Sequence, residues 1–307
     1  MLIQPTVWSA VGCHAKSVRF RRCPATVVPE RNGLGRARST GALHPARGPR
    51  QKGRKEAKLS QPDQRPCLLG IGVGPGDPEL VTVKAVRALR SCDLILVPAT
   101  EASGDDPGRA EAIVASACPD SAERLTRVPF SMADRTGVTQ RRAAAWQVAA
   151  AAAVRAFEAG ATRVGFATVG DPSVYSTFSY LAAGVRDQVP EIDVEVIPGI
   201  TAMQALAAAS RTPLVEGNEV LALVPLKHGI ADLVEVAQYA DTCVVYKAGR
   251  HLDALREYLA TIGQDAIAGI DIGMPGERIV PISELDEAPY FTSVLIAPQR
   301  GGTGERL

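Results

Sequence analysis

Three patterns predict an α/β protein of two domains, with a mostly parallel N-terminal sheet carrying flanking helices and a mixed-sheet C-terminal α/β domain. From Cys67 onward, apolar strand-like runs alternate with helical spacing, an order that places helices on both faces of a parallel sheet. After Arg211-Thr212-Pro213 the alternation breaks, and the last three strand-like runs follow one another with no helix between them. Glycine-containing turns also recur at the carboxyl ends of three early runs, the edge at which open α/β sheets take ligands. The expected division is a disordered basic extension over 1–65, domains over 66–200 and 201–300, and a flexible tail over 301–307.

The first strand is expected over Leu68–Val73, and it runs into Gly70-Ile71-Gly72-Val73-Gly74-Pro75-Gly76-Asp77-Pro78. Side chains alternate along a strand, so the glycines leave one face bare, as where a ligand or another backbone comes close. Pro75 fixes φ, Gly76 permits a turn, Asp77 suits an N-cap and Pro78 the first helical position. A helix over Glu79–Arg90 follows, with Leu80, Val83, Val86 (or Ala85) and Leu89 on one side. Further strands are expected over Asp93–Pro98, Leu125–Pro129, Arg163–Thr168 and Ile192–Ile197, and helices over Arg109–Cys118, Thr139–Ala159, Ser173–Gln188 and Thr201–Ser210. In the second domain Glu219–Leu226, Thr242–Lys247, Ala266–Ile272, Arg278–Ser283 and Thr292–Pro298 read as strands. Ile230–Tyr239 and Leu252–Thr261 read as helices there, and Met274-Pro275-Gly276-Glu277 as a hairpin turn.

The opening turn is not a dinucleotide fingerprint. Counting six positions from Gly70 or from Gly72 ends on Pro75 or Asp77 rather than glycine, and a carboxylate at a helix N-terminus repels phosphate. Two later turns share its character: Val169-Gly170-Asp171-Pro172 after one strand and Pro198-Gly199-Ile200-Thr201 after another. Together they offer backbone groups, hydroxyls and carboxylates but no clustered lysines, which suits a phosphate-free cofactor with a cationic centre, such as S-adenosyl-L-methionine. No nucleophile elbow, HExxH or Walker loop is present, and four histidines, two of them at positions 14 and 44, make histidine catalysis improbable.

The net charge of +1 conceals an asymmetry: residues 1–60 hold 13 Lys/Arg against Glu30 and Glu56, or +11, so the remainder carries −10. That basic segment is rich in Pro and Gly and has no sustained periodicity, so disorder is expected. Three readings stay open for it: an organellar transit peptide, a nucleic-acid-binding arm, or translated upstream sequence, the last favoured because a compact domain begins near Cys67. Six cysteines without metal-ligand spacing fit a reducing, cytoplasmic setting and no metal. No membrane span is expected, since no apolar stretch long enough lacks charge.

The stretches Gly72–Leu80, Val128-Pro129-Phe130-Ser131-Met132, Gly170–Leu181, Ile197–Ala202 and Tyr246-Lys247, in this order and spacing, resemble the tetrapyrrole (corrin/porphyrin) methylases. Within that family the chain is most similar to members that methylate precorrin-2, or its cobalt form (cobalt-factor II), at the C20 meso carbon. The resemblance covers about residues 66–298. It implies a homodimer of two-domain subunits with S-adenosyl-L-methionine in the trough between the domains, and no nucleic-acid or membrane partner. By motif position it implies cofactor contacts at Pro75, Gly170, Asp171, Val174, Ser176, Thr177, Thr201 and Ala202. Lys247 stands where relatives present a cofactor-facing residue, often Met, and is grouped with them. Gly74, Gly76, Arg135 and Arg142 are candidates for substrate, with Arg141, Lys227, His228 and Arg250 as further cations for its carboxylates. Tyr175, Phe178 and Tyr180 are candidates to stack on the macrocycle. Asp77 is the candidate to take up the C20 proton, against a plain N-cap role.

Overall fold

A computed structural model of the chain describes residues 65–100, 104, 106–130 and 139–301. Five strands, β1 (Cys67–Gly72), β2 (Leu94–Thr100), β3 (Leu125–Phe130), β4 (Arg163–Thr168) and β5 (Asp193–Ile197), form an all-parallel sheet in the order β3-β2-β4-β1-β5. Parallel pairing requires a crossover between consecutive strands. The crossovers are α1 (Val83–Ser91), α2 (Arg109–Ala117), α3 (Gln140–Glu158) and α4 (Phe178–Arg186). Both faces of the sheet are therefore covered, which is why its strands read as continuous apolar runs. Leu69 and Ile71 of β1 point to one face and pack with Ala85, Leu89 and Ile113 of α1 and α2. Leu68 points to the other and packs with Ala149, Ala153 and Leu181 of α3 and α4. Each such large apolar side chain, fully buried, contributes about 1.5–3 kcal/mol.

The second sheet comprises β6 (Leu221–Pro225), β7 (Thr242–Tyr246), β8 (Ile267–Ile270), β9 (Arg278–Pro281) and β10 (Thr292–Ile296), ordered β6-β7-β10-β8-β9. Only β6 and β7 run parallel; β10 is antiparallel to β7 and β8, and β8 to β9. The absence of crossover helices among the last runs thus produces the mixed sheet. Helices α6 (Ala231–Val236) and α7 (Leu252–Thr261) cover one face through Leu233, Leu255 and Leu259. Helix α5 (Ala202–Ser210) covers the other, with Leu206 against Val244 and Leu295. The β8–β9 turn closes at Met274–Glu277 with the Glu277 amide donating to the Met274 carbonyl at 3.0 Å, and Gly276 adopts φ 93° there.

One expectation for the opening stretch is corrected and another is resolved between its two alternatives. Asp77 does not start the long helix: it caps a single 3₁₀ turn, Pro78–Leu80, and α1 begins later with Thr82 as its N-cap. Two caps lie close together, and the Thr82 hydroxyl oxygen, accepting from the Ala85 amide at 3.1 Å, is the one that launches α1. The bare face of β1 is also closed by the protein itself. The Phe178 ring sits over Gly70, where a Cβ would lie 2.5 Å from it, and the backbones of Gly170 and Gly199 cross over Gly72 at 2.6 Å from such an atom. The helix expected from Ser173 starts only at Phe178, because Tyr175 stands in the left-handed region at φ 50° and breaks helical geometry. All but the last residue of the expected extension and all but the first residue of the tail lie outside the described residues.

Candidate functional site

The carboxyl ends of β1, β4 and β5 meet. The Gly170 amide donates to the Gly74 carbonyl at 2.7 Å, and the Val73 amide to the Thr168 carbonyl at 3.0 Å. Gly199 lies so near that a Cβ on it would be 2.1 Å from the Gly170 oxygen and 2.9 Å from the Gly72 Cα. Asp171 ties the last two turns together: one carboxylate oxygen accepts from the Ser173 amide (2.7 Å) and the Ser173 hydroxyl, the other from the Gly199 amide (2.9 Å). Burial alone would raise the Asp171 carboxyl, but these three donors favour the anion and hold it below the usual carboxylate range. Thr201 follows as N-cap of α5, its amide and its hydroxyl both donating to Gln204 Oε1 at 2.9 Å.

Above these turns lies a cavity of about 1000 Å³, bounded by both sheets. The first sheet contributes Pro75, Pro98, Phe130, Phe166 and Thr168 with the β4 turn; the second contributes Tyr246, Lys247, Asp271, Ile272 and the segment Pro289–Ser293. Pro75, Gly170, Asp171, Val174, Ser176, Thr177, Thr201, Ala202 and Lys247 all line it. Gly74, Gly76, Asp77 and Arg142 are not in its lining. Gly76 is instead pressed against the second sheet, a Cβ there falling 2.5 Å from the Ile272 oxygen. The Asp77 carboxylate accepts from the Glu79 amide at 2.8 Å. Arg135 lies outside the described residues, as do Ser131 and Met132.

The aromatic candidates separate. Phe178 is buried against Gly70 and lies 6.3 Å from Phe166. Tyr180 stacks on Trp146 at 4.1 Å, away from the lining. Only Tyr175 faces the cavity, edge-on to Tyr246 at 5.4 Å, with its hydroxyl donating to the Leu223 carbonyl at 3.3 Å. Burial, with the neighbouring Tyr175 hydroxyl, pushes the Tyr246 phenol up to about 12, so both rings stay neutral at physiological pH. Among the described residues, three of the four non-glycine positions with positive φ, Tyr175, Lys247 and Asp271, line this cavity. Strained backbone of this kind gathers at functional sites, where the surrounding structure enforces it.

Sequence reasoning missed the far side of the cavity. Arg109, at the start of α2, pairs with Asp271 beyond β8 at 2.5 Å, and its guanidinium stacks 3.7 Å above the Phe291 ring. The pair joins a helix of the first sheet to loops of the second, a separation of 162 residues that no local pattern announces. Thr168 is a closer miss: the hydroxyl of Ser176, a named candidate, donates to Thr168 Oγ1 at 3.2 Å and accepts from the Phe178 amide at 3.2 Å. Thr168 had only its place at a strand end to mark it.

The model of the Tetrapyrrole (Corrin/Porphyrin) Methylases matches residues 68–289. A precorrin-2 C(20)-methyltransferase of Sinorhizobium sp is 34% identical over 236 residues, 75% of this chain and 94% of that protein. A cobalt-precorrin-2 C(20)-methyltransferase of Salmonella typhimurium is 31% identical over 239 residues, 76% of this chain and 96% of the relative. Among solved structures, a putative cobalamin synthesis related protein from Corynebacterium diphtheriae superposes with a TM-score of 0.57 at 19% identity, over 76% of this chain and 98% of that one. A uroporphyrin-III C-methyl transferase from Thermus thermophilus, complexed with S-adenyl homocysteine, gives 0.51 at 19% identity, over 75% and 97%. At such identities these two similarities establish the fold.

Proposed function

The chain belongs to the tetrapyrrole (corrin/porphyrin) methylases, and from that membership we propose that it transfers a methyl group from S-adenosyl-L-methionine to C20 of precorrin-2, or of its cobalt form, in cobalamin biosynthesis. The observation that carries this reading is the shared cavity: the eight residues implied by motif position as cofactor contacts all line it, although they come from three separate strand ends. Its volume is large for the cofactor alone, which fits a second, bulky reactant. Its floor supports a phosphate-free ligand, being made of turn backbone and of the hydroxyls of Thr168, Ser176 and Thr201, with Asp171 held ionised.

Bound S-adenosyl-L-methionine supplies an electrophilic methyl group on a sulfonium. The chain's own contribution is placement. The three interlocked turns fix backbone donors and acceptors at one end of the cavity, while Pro98, Phe130, Phe166, Tyr246 and Phe291 wall off water. Holding an electron-rich ring carbon in line with the methyl converts a bimolecular encounter into a near-attack geometry, worth several kcal/mol. The Asp171 carboxylate tolerates a nearby cation, and its hydrogen bonds keep it from competing as a nucleophile. Asp77, engaged with the Glu79 amide and outside the lining, is assigned the capping role rather than proton uptake.

Two lobes, 66–200 and 201–300, a homodimeric assembly and a cytoplasmic setting complete the proposal. The four described cysteines, all free thiols, support a reducing compartment, and no helix among the described residues is long and apolar enough to cross a membrane. The test is incubation with precorrin-2 and cobalt-factor II and ¹³C-methyl-labelled cofactor, the product being read by NMR. Label at C20 is expected. Label at another ring carbon would replace the C20 assignment, and tight NAD(P) binding without S-adenosylhomocysteine binding would overturn the methylase reading.

A further inference from the structure

Among the described residues, the charged ones in the cavity lining are Arg109, Asp171, Lys247 and Asp271. Asp271 is neutralised by Arg109, and both oxygens of Asp171 are taken by Ser173 and Gly199. Lys247 is left over. It is half-buried at the end of β7, its backbone is held at φ 62°, and among the described residues its ammonium has no salt-bridge partner, only the Tyr175 ring at 5.7 Å. Other cations lie beside it. Strands β6 and β7 run parallel with Pro225 opposite Tyr246, and the Leu226 amide donates to the Tyr246 carbonyl at 2.9 Å, so Lys227 leaves the sheet next to Lys247. Arg142, in the first turn of α3, is a further electrostatic neighbour; burial first, then Lys227 and Arg142, lowers the Lys247 ammonium below the ordinary lysine value.

A cation kept half-buried among cations, with the described acids of its own cavity already committed, is matched to an anion that arrives with a ligand. We propose that Lys247 is a carboxylate-binding residue that receives an acidic side chain of the tetrapyrrole, with Lys227 and Arg142 supporting it. This rests on the methylase reading above and deepens it. A sulfonium is the wrong charge for this end of the cavity, since like charges at contact distance repel. The cofactor's reactive centre therefore belongs toward Pro75 and Asp171, away from Lys247. The carboxylate could still come from either reactant, the macrocycle or the amino-acid end of the cofactor, and the test separates the two.

Uroporphyrin III, a stable polycarboxylated tetrapyrrole, is titrated into the full chain by visible absorbance, and S-adenosylhomocysteine by calorimetry. Lys247→Met should weaken uroporphyrin III binding about tenfold, the scale of one charge-assisted hydrogen bond, and flatten its salt dependence. Lys247→Arg should stay within about threefold of the parent, while S-adenosylhomocysteine binding remains within about twofold for both variants. Lys247→Asn, which suits the left-handed backbone, should behave as Lys247→Met and so separates lost charge from strain. Weakened S-adenosylhomocysteine binding with unchanged uroporphyrin III binding would overturn the proposal and assign Lys247 to the cofactor carboxylate; no change in either ligand would overturn it too. Both titrations are independent of which ring carbon is methylated, so they fail or succeed separately from the C20 assignment.

Discussion

Replacing Gly199 by alanine probes the meeting point of the three turns directly. The new methyl would stand 2.1 Å from the Gly170 carbonyl oxygen and 2.9 Å from the Gly72 Cα. All of those atoms are backbone, so no side-chain rotation relieves the overlap. An ordinary contact needs about 3.4 Å, so the β5 turn must withdraw by more than 1 Å from the β4 turn. That movement also pulls the Gly199 amide away from Asp171. Overpacking costs about 1–3 kcal/mol, and losing a hydrogen bond to a charged acceptor about 1.5–3 kcal/mol, part of which local rearrangement recovers. A net loss of about 3 kcal/mol corresponds to a fall in Tm of roughly 6–12 °C for a chain of this size. Because Gly170 and Thr201 both line the cavity, S-adenosylhomocysteine affinity should fall by more than tenfold as well. Thermal unfolding followed by circular dichroism, with and without S-adenosylhomocysteine, reads both effects. A variant with the parent's Tm and affinity would refute the close crossing of the three backbones and the account of the site built on it.

Thr201→Val removes the hydroxyl that donates to Gln204 at the start of α5; stability should drop by about 1 kcal/mol, and S-adenosylhomocysteine affinity should weaken further if that oxygen also meets the cofactor, as calorimetry would read. Asp171 is held below its unfolded value by its three donors, so its contribution is fully present above about pH 4 and is lost as pH falls through the native value. Asp171→Asn should therefore lower stability near neutrality and flatten the acid limb of a urea-denaturation series, and an unchanged acid limb would count against the assigned bonds. Arg109→Leu leaves Asp271 without its cation and Phe291 without its stacking partner. At about one-third exposure the pair is worth near 1 kcal/mol and the stack about 0.5–1 kcal/mol, so Tm should fall by roughly 3–8 °C, measured by scanning calorimetry.

The chain order of apolar runs determined the parallel sheet and the mixed one, because side-chain period and the need for crossovers are local consequences of sequence. Arg163–Thr168 and Leu252–Thr261 have the same bounds in the structure, since strong turn residues flank them. The three strand-end turns were legible for the same reason: glycine, Asp and Thr at strand ends state a backbone requirement wherever they occur. What faces the glycines was decided only in three dimensions. Gly70 and Gly72 announce a close approach but not whether a ligand, the Phe178 ring or the Gly199 backbone makes it. The start of α1 passed from Asp77 to Thr82 because two good caps compete within one short stretch, and packing chooses between them. The Arg109–Asp271 pair and the uncompensated charge of Lys247 depend on which strand ends share a cavity, and that is a property of tertiary structure, since charges sum over space and not along the chain.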